Sequence, residues 1–307
     1  LFNQNKYQET INTCKEILAN NSNSLEALKL IAKSFLATKK IDDARLYLKK
    51  CLNIKPDDYE AIKEIGNTYQ ALGDIFNAKK YYQKALTINS NYAIALSNLG
   101  SIEINTGDKN KGLSLLKKAT ESDPLLAHAW ANLANGYVLL KKIKEAENAC
   151  RKSIEINPNL FNSHFTLAKI LAGQKRLKEA ELSIRKSIKL NQNLLNSQFL
   201  LSTILVHQNK LQEAEKSLRK VIELKPDFPN AYSNLGHVLK ELGKSKEAEL
   251  ATRKAIQYKP SSSQSHCNLG SILKDLGNFE EAEIYTRKAI KIKPDYEMAY
   301  SNMGSIL

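Results

Sequence analysis

Five asparagines of this 307-residue chain, Asn98, Asn132, Asn234, Asn268 and Asn302, are separated by 34 residues or multiples of 34. An exposed carboxamide carries both donors and an acceptor, so a row of them can hold the N–H and C=O groups of an extended peptide backbone. Such a row reads chain rather than sequence. Leu30, Glu64, Thr166 and Leu200 occupy the same place in other units and interrupt it. Little else in the chain suggests chemistry. No nucleophile–base–acid arrangement stands out, no Gly-rich run could cradle phosphate, and neither the cysteines nor the histidines fall at metal-ligand spacing. The expectation is an absence of catalytic residues, cofactor and metal.

A 34-residue period must position these side chains. Units beginning at 25, 59, 93, 127, 161, 195, 229 and 263 share one phase. The eighth place then reads Ala32, Gly66, Gly100, Ala134, Ala168, Ser202, Gly236 and Gly270. The twentieth reads Ala44, Ala78, Gly112, Ala146, Ala180, Ala214, Ala248 and Ala282. The thirty-second is proline except at Ser90 and Gln192. A period of this size marks a stacked array of helical repeats. In the unit from 229, Tyr232, Leu235, Gly236 and Leu239 lie at helical spacing, Gly243 interrupts, and Ala248, Thr252, Ala255 and Ile256 resume it. The Gly or Lys-rich interruption predicts a short helix–helix turn, and Pro260 marks where the second helix stops. Small side chains at places eight and twenty allow the two helices to approach closely.

This pattern resembles the tetratricopeptide repeat. Trp130, Leu133, Ala134, Tyr137, Ala146, Cys150, Ser153 and Pro158 follow that family's order, with conservative departures at three places. The resemblance implies an all-α chain, an α-α superhelix built as a right-handed solenoid of helical hairpins. First helices would line the concave wall through places two, five, six, nine, twelve and thirteen. The asparagine row would then resemble the ladder in the repeat arm of O-linked N-acetylglucosamine transferases and related bacterial repeat proteins. His237, with His128 and His207, would face the same groove. The family's carboxylate-clamp subtype is matched in part by Lys29 with Lys33 and Lys63 with Asn67, while Ser97 and Ser101 leave the set incomplete.

The phase is unbroken, so residues 1–307 read as one array: a partial repeat over 1–24, eight full repeats over 25–296, and the start of another over 297–307. Residues 7–24 read as a second helix packing through Thr10, Cys14 and Ile17, and the last segment as an unfinished first helix with Tyr300, Met303, Gly304 and Leu307 in phase. The chain thus reads as an excerpt of a longer protein. The units from 161 and 195 depart most from the pattern, which suggests a bend or softer interface there.

The formal net charge of +14 raises the question of nucleic acid. Its placement argues otherwise. Basic pairs recur at places twenty-five and twenty-six, and Arg151, Arg185, Arg219, Arg253 and Arg287 each follow a glutamate by four residues. That pattern predicts ion pairs on a solvated outer face, without the aromatic interleaving that stacks bases. No specific nucleic-acid binding is expected, and no apolar run is long enough to span a bilayer. The unpaired lysine charge favours acidic partners. Cys14, Cys51 and Cys150 fall at places the repeat buries, with Cys267 near the inner wall, so unpaired thiols and a reducing, cytoplasmic setting are expected. The leading function is a non-catalytic scaffold binding a protein or peptide in its groove. The alternatives are the substrate-recruiting arm of a larger glycosyltransferase or sulfotransferase, and a self-associating array.

Overall fold

The computed structural model describes residues 2, 6–192 and 194–306, and the chain divides into two compact units, Leu1–Pro158 and Asn159–Leu307. In the first, α1 (Tyr7–Asn20) precedes four hairpins: α2 (Leu25–Ala37) with α3 (Ile41–Ile54), α4 (Tyr59–Ala71) with α5 (Ile75–Ile88), α6 (Ala93–Thr106) with α7 (Lys109–Ser122), and α8 (Ala127–Leu139) with α9 (Ile143–Ile156). The second holds α10 (Phe161–Gly173) with α11 (Leu177–Leu190), α12 (Leu195–His207) with α13 (Leu211–Leu224), α14 (Pro229–Glu241) with α15 (Ser245–Tyr258), α16 (Ser263–Asp275) with α17 (Phe279–Ile292), and finally α18 (Glu297–Ile306). The described residues contain no strand. The fold is the expected all-α solenoid of helical hairpins.

Within each hairpin the seam is set by what faces the eighth place. A Cβ added to Gly66 would lie 2.7 Å from the ring of Tyr82, which is fully buried. At Gly236 the same atom would lie 2.0 Å from Thr252 Oγ1, and at Gly270 2.2 Å from Thr286 Oγ1. Glycine at place eight makes room for the place-twenty-four side chain in these hairpins, while Ala32, Ala168 and Ser202 coexist with buried Leu48, Ile184 and Leu218 in others. Where place eight is Ala134, place twenty-four is the smaller Cys150, and both are fully buried. Between α6 and α7, Gly112 would bring a Cβ to 2.6 Å from the Ile104 backbone nitrogen, so two glycines permit near backbone-to-backbone contact there.

Seven of the eight hairpin turns share one conformation, the exception being α6–α7, where Gly107 has φ −145°. Gly73, Gly243 and Gly277 adopt φ of +76°, +74° and +78°, and Lys39, Lys141, Lys175 and Asn209 take the same left-handed region in other units. This residue ends the first helix by the left-handed cap that glycine fits best. Second helices leave through an extended residue, such as Lys259 at φ −141° before Pro260. Asn89 and Asn191 are equally extended although Ser90 and Gln192 follow them. The apolar pattern ending, rather than proline alone, fixes the stop.

The terminal helices pack differently from expectation. In α1 Thr10, Ile11 and Cys14 are buried, but Ile17 in the last turn is 45% exposed. In α18 only Ala299 is buried, Tyr300 is exposed, and Leu307 lies outside the described residues.

Candidate peptide-binding face of the first helices

The five asparagines do not have the geometry of free side chains. All five are half-buried. Asn132 Nδ2 donates to Ser97 Oγ at 2.9 Å, Asn268 Nδ2 to the Ser233 carbonyl at 3.3 Å, and Asn302 Nδ2 to the Cys267 carbonyl at 3.2 Å. Each bond runs from place six to place five of the preceding hairpin, 35 residues back. Asn98 donates instead to Asn67 Oδ1 at 3.0 Å. The carboxamides therefore tie successive first helices together. Asn234 differs, because Phe199 stands at the preceding place five and its side chain can accept nothing. Among the described residues Asn234 has no hydrogen-bond partner for its side chain.

The same stacking covers place five. Ser97, Ser233 and Cys267 are buried there, so Cys267 is packed against Ala289 and Ala299 instead of lining an open wall. Place nine is more open: Lys33, Lys169 and His237 are exposed. Place two is exposed throughout, from Glu26 and Glu60 to Asn230 and Gln264. A segment laid along the first helices would meet places two, nine and thirteen first, with place six beneath.

Several sequence-predicted residues converge in the first unit. Lys29, Lys33 and Lys63 line one pocket of about 260 Å³ with Glu60, Glu64 and Tyr92. Asp58 caps α4 by accepting from the Glu60 and Ala61 amides, and the same carboxylate holds Lys29 Nζ at 2.7 Å. Burial pushes the Asp58 carboxyl up, but the Lys29 bond and the backbone donors outweigh it and hold it below the usual range. Burial likewise pulls Lys29 down, and Asp58 with Glu60 more than restores it. Lys63, 6% exposed, is paired with Glu64. Asn67 donates to Glu64 at 2.8 Å and its Oδ1 accepts from Tyr82 Oη at 2.7 Å. Lys29, Lys63 and Asn67 are thus neutralised or satisfied internally, leaving Lys33 as the cation of the set without an acidic partner among the described residues. Sequence spacing could place these groups together but could not show that Asp58, Glu60 and Glu64 already occupy them.

In the second unit His237, Asn268 and Asn302 line a pocket of about 140 Å³ with Lys240, Ser271 and Met298. Lys240 is 3.3 Å from Asp275, which links α14 to α16 across this face.

The second helices carry the expected ion pairs, and a further set spacing arguments missed. Arg185, Arg219 and Arg253 each reach a glutamate one turn back, Glu181, Glu215 and Glu249. Each also bridges to the next hairpin, at Glu213, Glu247 and Glu281. Lys210 and Lys244 return to Glu181 at 2.6 Å and Glu215 at 2.9 Å. Burial pushes Glu181 up, but bonds from Lys210 and Arg185 hold it below its ordinary value; for Glu215 the Lys244 bond is the dominant cause of the same lowering. The interhairpin partner lies 28 residues away, a spacing no single-helix rule contains.

All four cysteines are buried and unpaired. Among the described residues no group of three or more His, Cys, Asp or Glu could hold a metal ion, and no helix is long and apolar enough to cross a membrane.

A stack of helical hairpins with a half-buried polar row along its first helices defines a helical-repeat scaffold. The chain belongs to the tetratricopeptide-repeat family: residues 58–269 match the family model for the cilia and flagella-associated protein 70 C-terminal domain, and residues 25–58 and 263–296 match the tetratricopeptide repeat. No curated protein matches the sequence. Solved structures of similar fold include the APC/C hetero-tetramer Cut9–Hcn1, 15% identical with a TM-score of 0.68 over 93% of this chain and 56% of that one. PilF of Pseudomonas aeruginosa is 19% identical with a TM-score of 0.62, over 69% of this chain and 97% of its own. YrrB, a tetratricopeptide-repeat protein described as having an unusual peptide-binding site, is 22% identical with a TM-score of 0.55, over 61% of this chain and 96% of its own. At these identities the likeness is one of fold.

Proposed function

We propose that this chain is a non-catalytic scaffold that holds an extended segment of a partner protein along its first helices. The observation that carries this reading is Asn234, the one rung of the asparagine row whose carboxamide is not donated to a neighbouring hairpin, one helical turn from the exposed His237. A carboxamide so placed can take a donor and an acceptor from one peptide unit. The exposed places two, nine and thirteen supply polar contacts around it. The peptide-binding description of YrrB and the assembly in which Cut9 is found support a partner of this class. Lys33 and the wider positive balance favour an acidic segment, and four buried unpaired thiols suit a reducing, cytoplasmic setting.

The test is a peptide library titrated against the full chain. Asn234→Ala is expected to weaken the best binder about tenfold, the worth of about one well-made hydrogen bond with its neighbours, with no change in unfolding midpoint. Asn268→Ala is expected to lower that midpoint as well, because its amide joins two hairpins. Undiminished binding by Asn234→Ala combined with His237→Ala would refute the assignment.

A further inference from the structure

One groove between second helices breaks the pattern of its neighbours. From Trp130 onward, place four holds a ring, in Trp130, His164, Tyr232, His266 and Tyr300, except at Gln198. Two of these rings reach the carbonyl of the proline before them: Trp130 Nε1 donates to Pro124 at 3.0 Å, and His266 Nε2 lies 2.8 Å from the Pro260 oxygen. In the unit from 195 both members of that pairing are glutamine, Gln192 and Gln198. A pocket of about 490 Å³ opens where the ring is missing. One repeat later the equivalent pocket, lined by Tyr232, measures about 260 Å³.

The charge differs as well. Arg185, Lys189, Lys216 and Lys220 line the larger pocket, and no carboxylate does. Arg185 is engaged by Glu181 and Glu213, and Lys220 by Glu223. Lys189 and Lys216 are exposed and have no acidic partner among the described residues. In the next repeat the place of Lys216 is taken by Leu250, and Glu247 joins the lining. Ile188 and Leu201 give the larger pocket an apolar floor.

We propose that this pocket binds an aryl phosphate monoester, its ring filling the space that Tyr232 fills in the next groove and its dianion meeting Lys189, Lys216 and the two glutamine amides. The phosphate offers three acceptor oxygens to a wall of donors, which a single carboxylate could not satisfy. The volume falls within the range of small-ligand sites. The ring is carried either by a phosphorylated tyrosine of a partner segment or by a free small molecule, and both present the same chemistry to the pocket. The site is independent of the first-helix face proposed above.

The experiment titrates the full chain by calorimetry with phenyl phosphate, a phosphotyrosine peptide, its unphosphorylated form and inorganic phosphate. Phenyl phosphate is expected to bind with a dissociation constant of about 1 mM or tighter, and inorganic phosphate at least about tenfold more weakly. The phosphotyrosine peptide binding more tightly than phenyl phosphate assigns the source to a partner protein, and the reverse to a small molecule. Gln198→Tyr, which installs the ring of the next repeat, is expected to abolish binding. Lys216→Leu, which installs the residue found at Leu250, should weaken it about tenfold, the loss of one charged hydrogen bond, while Lys216→Arg retains it. Affinity should also fall as pH drops through about 6, where the dianion takes up a proton. Because Lys216 is exposed, its variants keep the fold, which circular dichroism checks. Equal binding of inorganic and phenyl phosphate, equal binding of the unphosphorylated peptide, or undiminished binding by Gln198→Tyr or Lys216→Leu would overturn the proposal, as would no saturable binding of phenyl phosphate.

Discussion

Replacing Gly236 by alanine would place a methyl carbon 2.0 Å from Thr252 Oγ1 and 3.2 Å from the Ala248 carbonyl oxygen. No shift of a few tenths of an ångström relieves the first overlap, so Thr252 must rotate. Its hydroxyl now donates to the Ala248 carbonyl at 2.8 Å, and rotation gives up that bond. Overpacking costs about 1–3 kcal/mol and the lost hydrogen bond about 1 kcal/mol, offset by about 1 kcal/mol from the better helix propensity of alanine. The net loss is about 1–3 kcal/mol. The structure also supplies the rescue, since Ala134 and Cys150 hold the same two places, and both are fully buried. Gly236→Ala with Thr252→Cys reproduces that pair and should lose less than about 1 kcal/mol, a coupling of about 1 kcal/mol or more between the two substitutions. Urea unfolding followed by circular dichroism, with hydrogen exchange across α14 and α15, measures both quantities. Strictly additive single and double variants would show that the eighth and twenty-fourth places do not meet as described.

Lys141 and Lys175 hold the left-handed turn conformation that glycine holds at Gly243, so Lys141→Gly and Lys175→Gly should each stabilise the chain by about 0.5–1 kcal/mol, seen as a higher urea midpoint. Asp58, Glu181 and Glu215 have folded-state values depressed below those of the unfolded chain. Their contribution is complete above the unfolded carboxylate range of about 4 and is lost as pH falls through the depressed values. Melting temperature should therefore be flat from neutral pH to about 5 and fall below about 4, and an acid-insensitive melt would contradict the pairing. Burial pushes Cys51 and Cys267 up to about 11 and Cys150 to about 12. Thiol-reactive dye at pH 8 should label the native chain far more slowly than the urea-unfolded chain, and rapid native labelling would show the seams to be open.

The helical architecture was readable because packing repeats. Gly236 and Ala248 recur in phase with their equivalents, and a small residue at a fixed interval has a single steric meaning in a hairpin. The turn at Gly243 follows from local backbone preference, and the stop before Pro260 from the end of the apolar pattern, which proline reinforces. Sequence could also nominate Asn132, Asn268, Lys29 and Lys63, since type and phase are visible there. It could not show that Asn268 is bound to Ser233, or that Lys63 is buried beside Glu64, because those partners lie in another unit or depend on burial. The bridge from Arg219 to Glu247 was invisible for the same reason: 28 residues is a distance set by how two hairpins stack. Ile17 has the helical phase of a core residue and is nevertheless 45% exposed, since phase alone does not report burial.

Asn132, Asn268 and Asn302 each point an amide hydrogen backward along the stack, to residues one repeat behind. That orientation fixes which end of the carboxamide dipole turns away from the neighbouring hairpin, namely the oxygen. The row is therefore polarised: at these rungs it offers electron pairs more readily than protons. At Asn268 and Asn302 a bound segment would be met chiefly through its amide hydrogens, while Asn234 answers a carbonyl on equal terms.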